Sequence, residues 1–272
     1  MLTELHRKGG CLCQPAREGK LRCPLIVRPT SEDVITGHLF QVLKILNPRW
    51  WLPDFLNQAL GVRAFQRQVF RQFRIDPWVN KPSYPRELLA WDEGSTQVDV
   101  TLTWENPPTT VFVEMKYGSE LSAVTSRNQG QHGYPSDQLV RNARVGLLEC
   151  GYFQLRRLFT GKRRDFLLLV IAPDAGQSLV ARYRDPVQLR SSIPHSDLIP
   201  QLPRLPFIGE LGYSDIVRIL RQQQRWFTLP ERMLVEQLEE YLQFKLATRP
   251  RRMSQNHPTS LFSQGKEAPP GR

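Results

Sequence analysis

A chain of 272 residues can bury a sizeable core, and 40% hydrophobic with 23% charged residues excludes a disordered or fibrous polymer. Thirty-seven Lys and Arg against 26 Asp and Glu leave a formal charge of +11, which makes polyanions the first partners to consider, although charge that serves only solubility gives the same balance. The opening MLTELHRKGGCLC lacks an apolar signal core, and the longest apolar run is the seven residues Phe166 to Ala172, so a cytoplasmic protein with no membrane association is expected.

Of four cysteines, Cys11, Cys13 and Cys23 cluster early and Cys150 stands apart. Together with His6 the first three fit none of the paired CxxC zinc spacings, which leaves free thiols as the expectation. Residues 1–29 carry Gly9-Gly10, Pro15, Gly19 and Pro24 without periodicity and read as a flexible lead-in. Thr30-Ser-Glu-Asp33 then resembles a capping box. Ile35, Leu39, Val42, Leu43 and Leu46 follow at helical spacing until Pro48.

The aromatic-rich stretch 50–85 predicts a short helix near 53–60 and irregular or extended chain after it, with its aromatics serving as core rather than as base-stacking platforms. A strand is expected over 87–91, a hairpin over 96–104 and 110–117, and a polar loop from Gly118 to Pro135 in which His132 is incidental. Ser136 can cap a helix whose stripe is Leu139, Ala143, Leu147 and Cys150. Phe166 to Ala172, closed by Pro173, reads as a strand buried on both faces. Residues 174–212 are ambiguous. Two amphipathic helices follow over 214–227 and 228–246, the second opened by the box Thr228-Leu-Pro-Glu231, and a disordered basic tail begins at 247. The order predicts one α/β domain over 30–246, a mixed central sheet flanked by helices in an α/β/α sandwich with additional C-terminal helices.

The hairpin carries the chemistry. If its turn is centred between Asn106 and Pro107, Val98 faces Met115, Val100 faces Val113 and Leu102 faces Val111, which gives one wholly apolar face. On the other face Asp99 meets Glu114, with Cβ atoms about 4.5–5.5 Å apart, and Lys116 stands two residues along. Opposed carboxylates repel unless a cation sits between them; a lysine can supply one charge, and paired acidic oxygens are also what a hard ion such as Mg²⁺ takes. A solvated face on which these residues happen to alternate is the plainer alternative.

Asp99 with Glu114-Met115-Lys116, a preceding helix bearing Glu32 and a following helix bearing Gln138 and Arg141 resemble the PD-(D/E)XK nuclease superfamily, over roughly residues 30 to 175. The proline that the family places before the aspartate is absent, since Gln97-Val98 precedes Asp99. The resemblance implies a restriction-endonuclease-like fold and hydrolysis of phosphodiester bonds, with DNA as the expected polymer and Mg²⁺ or Mn²⁺ as cofactor. It implies Asp99, Glu114, the Met115 carbonyl and Glu32 as metal ligands, Lys116 as the catalytic lysine, and Gln138 as a residue that positions the lysine or water. Arg141, Arg144, Arg156, Arg157, Lys162, Arg163 and Arg164 are the candidate phosphate contacts, with plain solvated surface as the alternative. A homodimer is left open. The competing class is a nucleic-acid-binding or complex-assembly module that keeps this fold without catalysis.

Overall fold

The predicted hairpin lies in the middle of a sheet. A computed structural model describes residues 14–15, 21–22, 31–82, 86–89, 91, 93–117, 121, 133–135, 137–155, 159, 161–204 and 206–248. Its five-stranded sheet comprises β1 (Arg71–Lys81), β2 (Thr96–Glu105), β3 (Thr109–Met115), β4 (Asp165–Ala172) and β5 (Ile208–Gly212), side by side in that order. The first three strands run antiparallel, while β4 and β5 continue parallel to β3. The helices are α1 (Glu32–Ile45), α2 (Pro48–Leu60), α3 (Gln138–Glu149), α4 (Ser178–Arg184), α5 (Pro186–Ser191), α6 (Tyr213–Gln223) and α7 (Leu229–Thr248). A parallel step requires a long crossover, and α3 supplies it between β3 and β4.

The hairpin register is the one the apolar pattern demands. Val100 pairs with Val113 and Leu102 with Val111, and Val98, Val100, Leu102 and Trp104 are fully buried. All of β3 is buried, so both its faces are covered. The face carrying charge is therefore under α3 instead of in water. The turn itself is eased by Asn106, whose φ of 67° suits a short polar side chain. FLLLVIA forms β4 as expected, interior and flanked by parallel partners.

Several boundaries differ from expectation for identifiable reasons. Ser31 rather than Thr30 caps α1, its side chain accepting from the Val34 N–H at 3.3 Å. Asp137 caps α3 by accepting from the Val140 N–H at 2.9 Å, and Ser136 lies outside the described residues. Pro48 both stops α1 and opens α2, where its missing N–H costs nothing. The strand expected over 87–91 is a helical turn at Arg86–Leu89. The extended chain after α2 is a full edge strand, β1, disguised by a register shift between Arg71 and Arg74 and by Pro77 and exposed Trp78, which interrupt the inward alternation of Phe73, Ile75 and Val79. A two-residue ladder, Gln14–Pro15 with Leu21–Arg22, stands in the lead-in. The ambiguous stretch 174–212 holds α4, α5 and β5. Most of the basic tail, and Cys11, Cys13 and Cys23, lie outside the described residues.

The sheet's crossover helix has a glycine in mid-course. At Gly146 a Cβ would sit 2.0 Å from Cζ of the Phe166 ring, so glycine lets α3 approach β4 closely. In a solvent-exposed helix, replacing glycine with alanine stabilises by about 1 kcal/mol. Here Gly146→Ala is expected to destabilise by about 1–3 kcal/mol, because the helix must lift off the sheet. Urea denaturation followed by circular dichroism measures the sign directly.

Candidate active site

Strands β2 and β3 stop pairing at Val100↔Val113. Beyond that point β2 stays with β1, through Val79↔Val98, Asn80↔Gln97 and Lys81↔Thr96, while β3 stays with β4 through Met115↔Ile171. The Lys116 N–H extends that last ladder to the Ile171 carbonyl at 2.7 Å. A gap thus opens between two strands, and the Met115 N–H facing it must find another acceptor. The Asp99 carboxylate takes it at 2.7 Å.

Glu114 faces the same gap with no exposed surface, and each of its oxygens has a partner: Lys116 Nζ donates to Oε1 at 2.8 Å and Asn142 Nδ2 to Oε2 at 3.0 Å. Asn142 is itself bridged to β2, accepting from the Thr96 hydroxyl at 3.0 Å. Glu32, at the start of α1, stands on the other side of Lys116 with Oε2 3.6 Å from Nζ, and its Oε1 accepts the Tyr117 N–H at 3.1 Å. Three carboxylates gather around one ammonium.

The electrostatics follow from burial. Desolvation pushes the Glu114 carboxyl up to about 8, with Asp99 adding to the shift and Lys116 opposing it. Desolvation likewise raises Asp99 above the usual carboxylate range, against the pull of the Met115 N–H and Lys116. Burial alone would lower Lys116, but Glu114, Glu32 and Asp99 around it prevail and hold it above its ordinary value. The cluster therefore lacks positive charge, and its free energy falls when a proton or a cation joins it.

Asp99, Glu114, Lys116 and Glu32 are thus brought together. Gln138 opens α3 one turn before Asn142, on the same helix face, nearer the end of β3. The helix residue that touches Glu114 is Asn142, which the sequence reading missed. Its signal was a lone polar residue in the inward stripe between Leu139 and Ala143.

The proposed phosphate contacts divide differently. Arg144 is a correction: its side chain is fully buried, donates to both oxygens of Glu93 at 2.7 and 2.8 Å, and lies 5.8 Å from the Trp91 ring centre. Arg141 reaches the same carboxylate at 3.2 Å and donates to the Gly94 carbonyl. Arg164 clasps the hairpin turn, bonding Glu105, Thr110 and the Trp104 and Thr109 carbonyls. That places it beside Thr109, five residues of strand from Glu114, or roughly 17 Å. Exposed Lys162 and Arg163 precede Arg164, Arg163 lying over the Tyr152 ring at 4.1 Å, so this loop belongs to the far end of the sheet. Arg156, Arg157 and His132 lie outside the described residues. Cys150 is a buried free thiol raised to about 12 by desolvation, which removes it as a nucleophile.

Among the described residues no helix is long and apolar enough to cross a membrane. Comparison with protein-family models, curated proteins and solved structures finds no match.

The raised Glu114 carboxyl has a signed consequence for folding. The folded protein holds this proton more tightly than the unfolded chain does, so the stabilisation is complete below the ordinary value of 4.5 and is lost as pH rises through about 8. In metal-free buffer, Glu114→Gln is expected to gain stability relative to wild type across that interval, because the amide carries no charge to desolvate. Denaturant titrations at stepped pH measure the difference. A gap between the two proteins that does not change with pH would contradict the assignment.

Proposed function

We propose that the protein is a metal-dependent nuclease of PD-(D/E)XK type that hydrolyses phosphodiester bonds, with DNA as its substrate. The observation that carries this reading is the parting of β2 from β3 where Asp99 and Glu114 face one gap, with the Lys116 amine 2.8 Å from Glu114. The order of a helix bearing Glu32, a hairpin, a helix and an interior strand supports a restriction-endonuclease-like sandwich.

The donor set suits a hard cation. Asp99 and Glu114 offer carboxylate oxygens whose raised proton affinity marks a demand for positive charge, and the Met115 carbonyl follows directly after Glu114. Among the described residues no group of three or more His, Cys, Asp and Glu side chains forms a cage, and Mg²⁺, which keeps several waters, asks for few protein ligands. When bound, the ion polarises the phosphate and lowers the pKa of its water.

The chain's own groups do the remainder. Asn142 fixes one oxygen of Glu114 and so sets the plane of its carboxylate. Lys116, held between Glu114 and Glu32, presents an ammonium that orients the attacking water or stabilises negative charge gathering on the phosphate. Glu32 keeps that ammonium in place while its other oxygen anchors the Tyr117 backbone. Gln138, one turn from Asn142, would contact water or phosphate in this reading.

A second reading, a non-catalytic nucleic-acid module, draws on one observation: both Glu114 oxygens are already engaged by protein donors. Cleavage of a plasmid in Mg²⁺ or Mn²⁺ separates the two. Wild type is expected to cut, and Glu114→Gln and Lys116→Met to lose activity by about 10²-fold or more. Cutting undiminished in both variants would end the site assignment, and DNA binding with no cutting by wild type would favour the module. Mg²⁺ at about 100 times its Kd should also stabilise wild type by about 2.7 kcal/mol, and Glu114→Gln should lose that gain.

A further inference from the structure

Far from this cluster stands a stack of four side chains, of which Arg49, Arg225 and Trp226 are exposed and Trp50 is half-buried. Trp50 lies in the first turn of α2, and Trp226 ends the short 3₁₀ turn Gln224–Trp226 between α6 and α7. Their indoles lie parallel, with ring centres 4.8 Å apart at 8°. The Arg49 guanidinium sits 5.1 Å from the centre of Trp50, and that of Arg225 sits 4.9 Å from Trp226. Trp226 remains 48% exposed, an unusual condition for the largest apolar side chain.

We propose that Arg49, Trp50, Trp226 and Arg225 form a second polynucleotide-binding site that grips a single strand through its phosphates. A guanidinium over an indole uses its flat face, which leaves the N–H edge free to donate. Among the described residues neither arginine's side chain meets an acceptor, so two donor forks are held in place with nothing to bind. The neighbouring acids are engaged elsewhere. Asp54, one turn after Trp50, accepts from Gln66 and Gln223, and Glu231 accepts from Thr228.

Two forks carried on adjoining rings match a ligand with repeated anionic groups, and the exposed indole offers a surface on which an unpaired base can stack. The chain's charge of +11 favours such a ligand over a neutral one. The site is distinct from the carboxylate cluster. Glu32 begins α1 and Trp50 lies beyond its end, and 14 helical residues at about 1.5 Å each separate them by roughly 21 Å. The inference shares its ligand with the nuclease reading but does not need the metal centre. An acidic peptide shares the negative charge but brings no base to stack, which makes polyglutamate the contrasting probe.

The test is a tryptophan-fluorescence titration of the full chain, in EDTA so that nothing is cut, with a thymidine oligonucleotide at several salt concentrations. Wild type is expected to show saturable quenching. Arg49→Ala/Arg225→Ala should bind roughly tenfold more weakly, with a salt slope shallower by about 1.4, the share of two phosphate contacts on a single strand. Its helicity and thermal midpoint should match wild type, since both side chains are exposed. Unchanged affinity and slope in the double variant would overturn the proposal, as would polyglutamate binding as tightly as the oligonucleotide. A chain that binds in this way yet never cleaves keeps the second site and loses the nuclease reading; cleavage by wild type with binding indifferent to the double variant does the reverse.

Discussion

A carboxylate with no exposed surface must have its charge answered within the protein, and the arrangement around Glu114 is organised by that requirement. Lys116 answers from the same strand and Asn142 from α3, which ties the crossover helix to the sheet at one depth. The departure of β2 from β3 then leaves the Met115 N–H to Asp99, bringing a second carboxylate to the same gap. Apolar residues in these places would make a more stable sheet, since buried ionic groups seldom repay their desolvation.

The C-terminal helices are part of this arrangement. Tyr213, the first residue of α6, donates its hydroxyl to the Lys116 carbonyl at 2.8 Å, and the Tyr117 hydroxyl donates to the Lys245 carbonyl of α7 at 2.9 Å. The two tyrosine rings are parallel, with centres 6.5 Å apart. The segment that follows β3, and with it the lysine and the N–H that holds Glu32, is therefore braced by helices 97 and 128 residues downstream. Net charge needs similar care. Arg144 and Arg164 are consumed in internal contacts, so a count of basic residues overstates how many cations the surface can offer.

Much of the hairpin was legible because side chains alternate with a period of two: once Val98, Val100 and Leu102 are assigned to the core, Asp99 is forced onto the face of Glu114. β1 resisted the same logic. Phe73, Ile75 and Val79 alternate toward the core, but the internal Pro77 and the exposed Trp78 interrupt that code, and neither the register shift nor the positive φ at Gln72 and Trp78 is written in residue spacing. The turn at Arg86–Leu89 failed for the opposite reason, since two adjacent leucines fit a strand or a helix equally.

What the residues determined by themselves was local: the α1 and α7 caps to within a residue, the apolar run of β4, the pairing sum of the hairpin, and the meeting of Asp99, Glu114 and Lys116 on one side of it. Each rests on spacing along a single element or across one tight turn. Only the tertiary structure decided that this charged side is buried, that Asn142 completes it beside the expected Glu32, that Arg144 points inward and that the basic loop lies at the opposite end of the sheet. Those facts depend on the rotation and depth at which α1 and α3 settle against the strands, and that is set by the packing of the entire core, not by any one element's pattern.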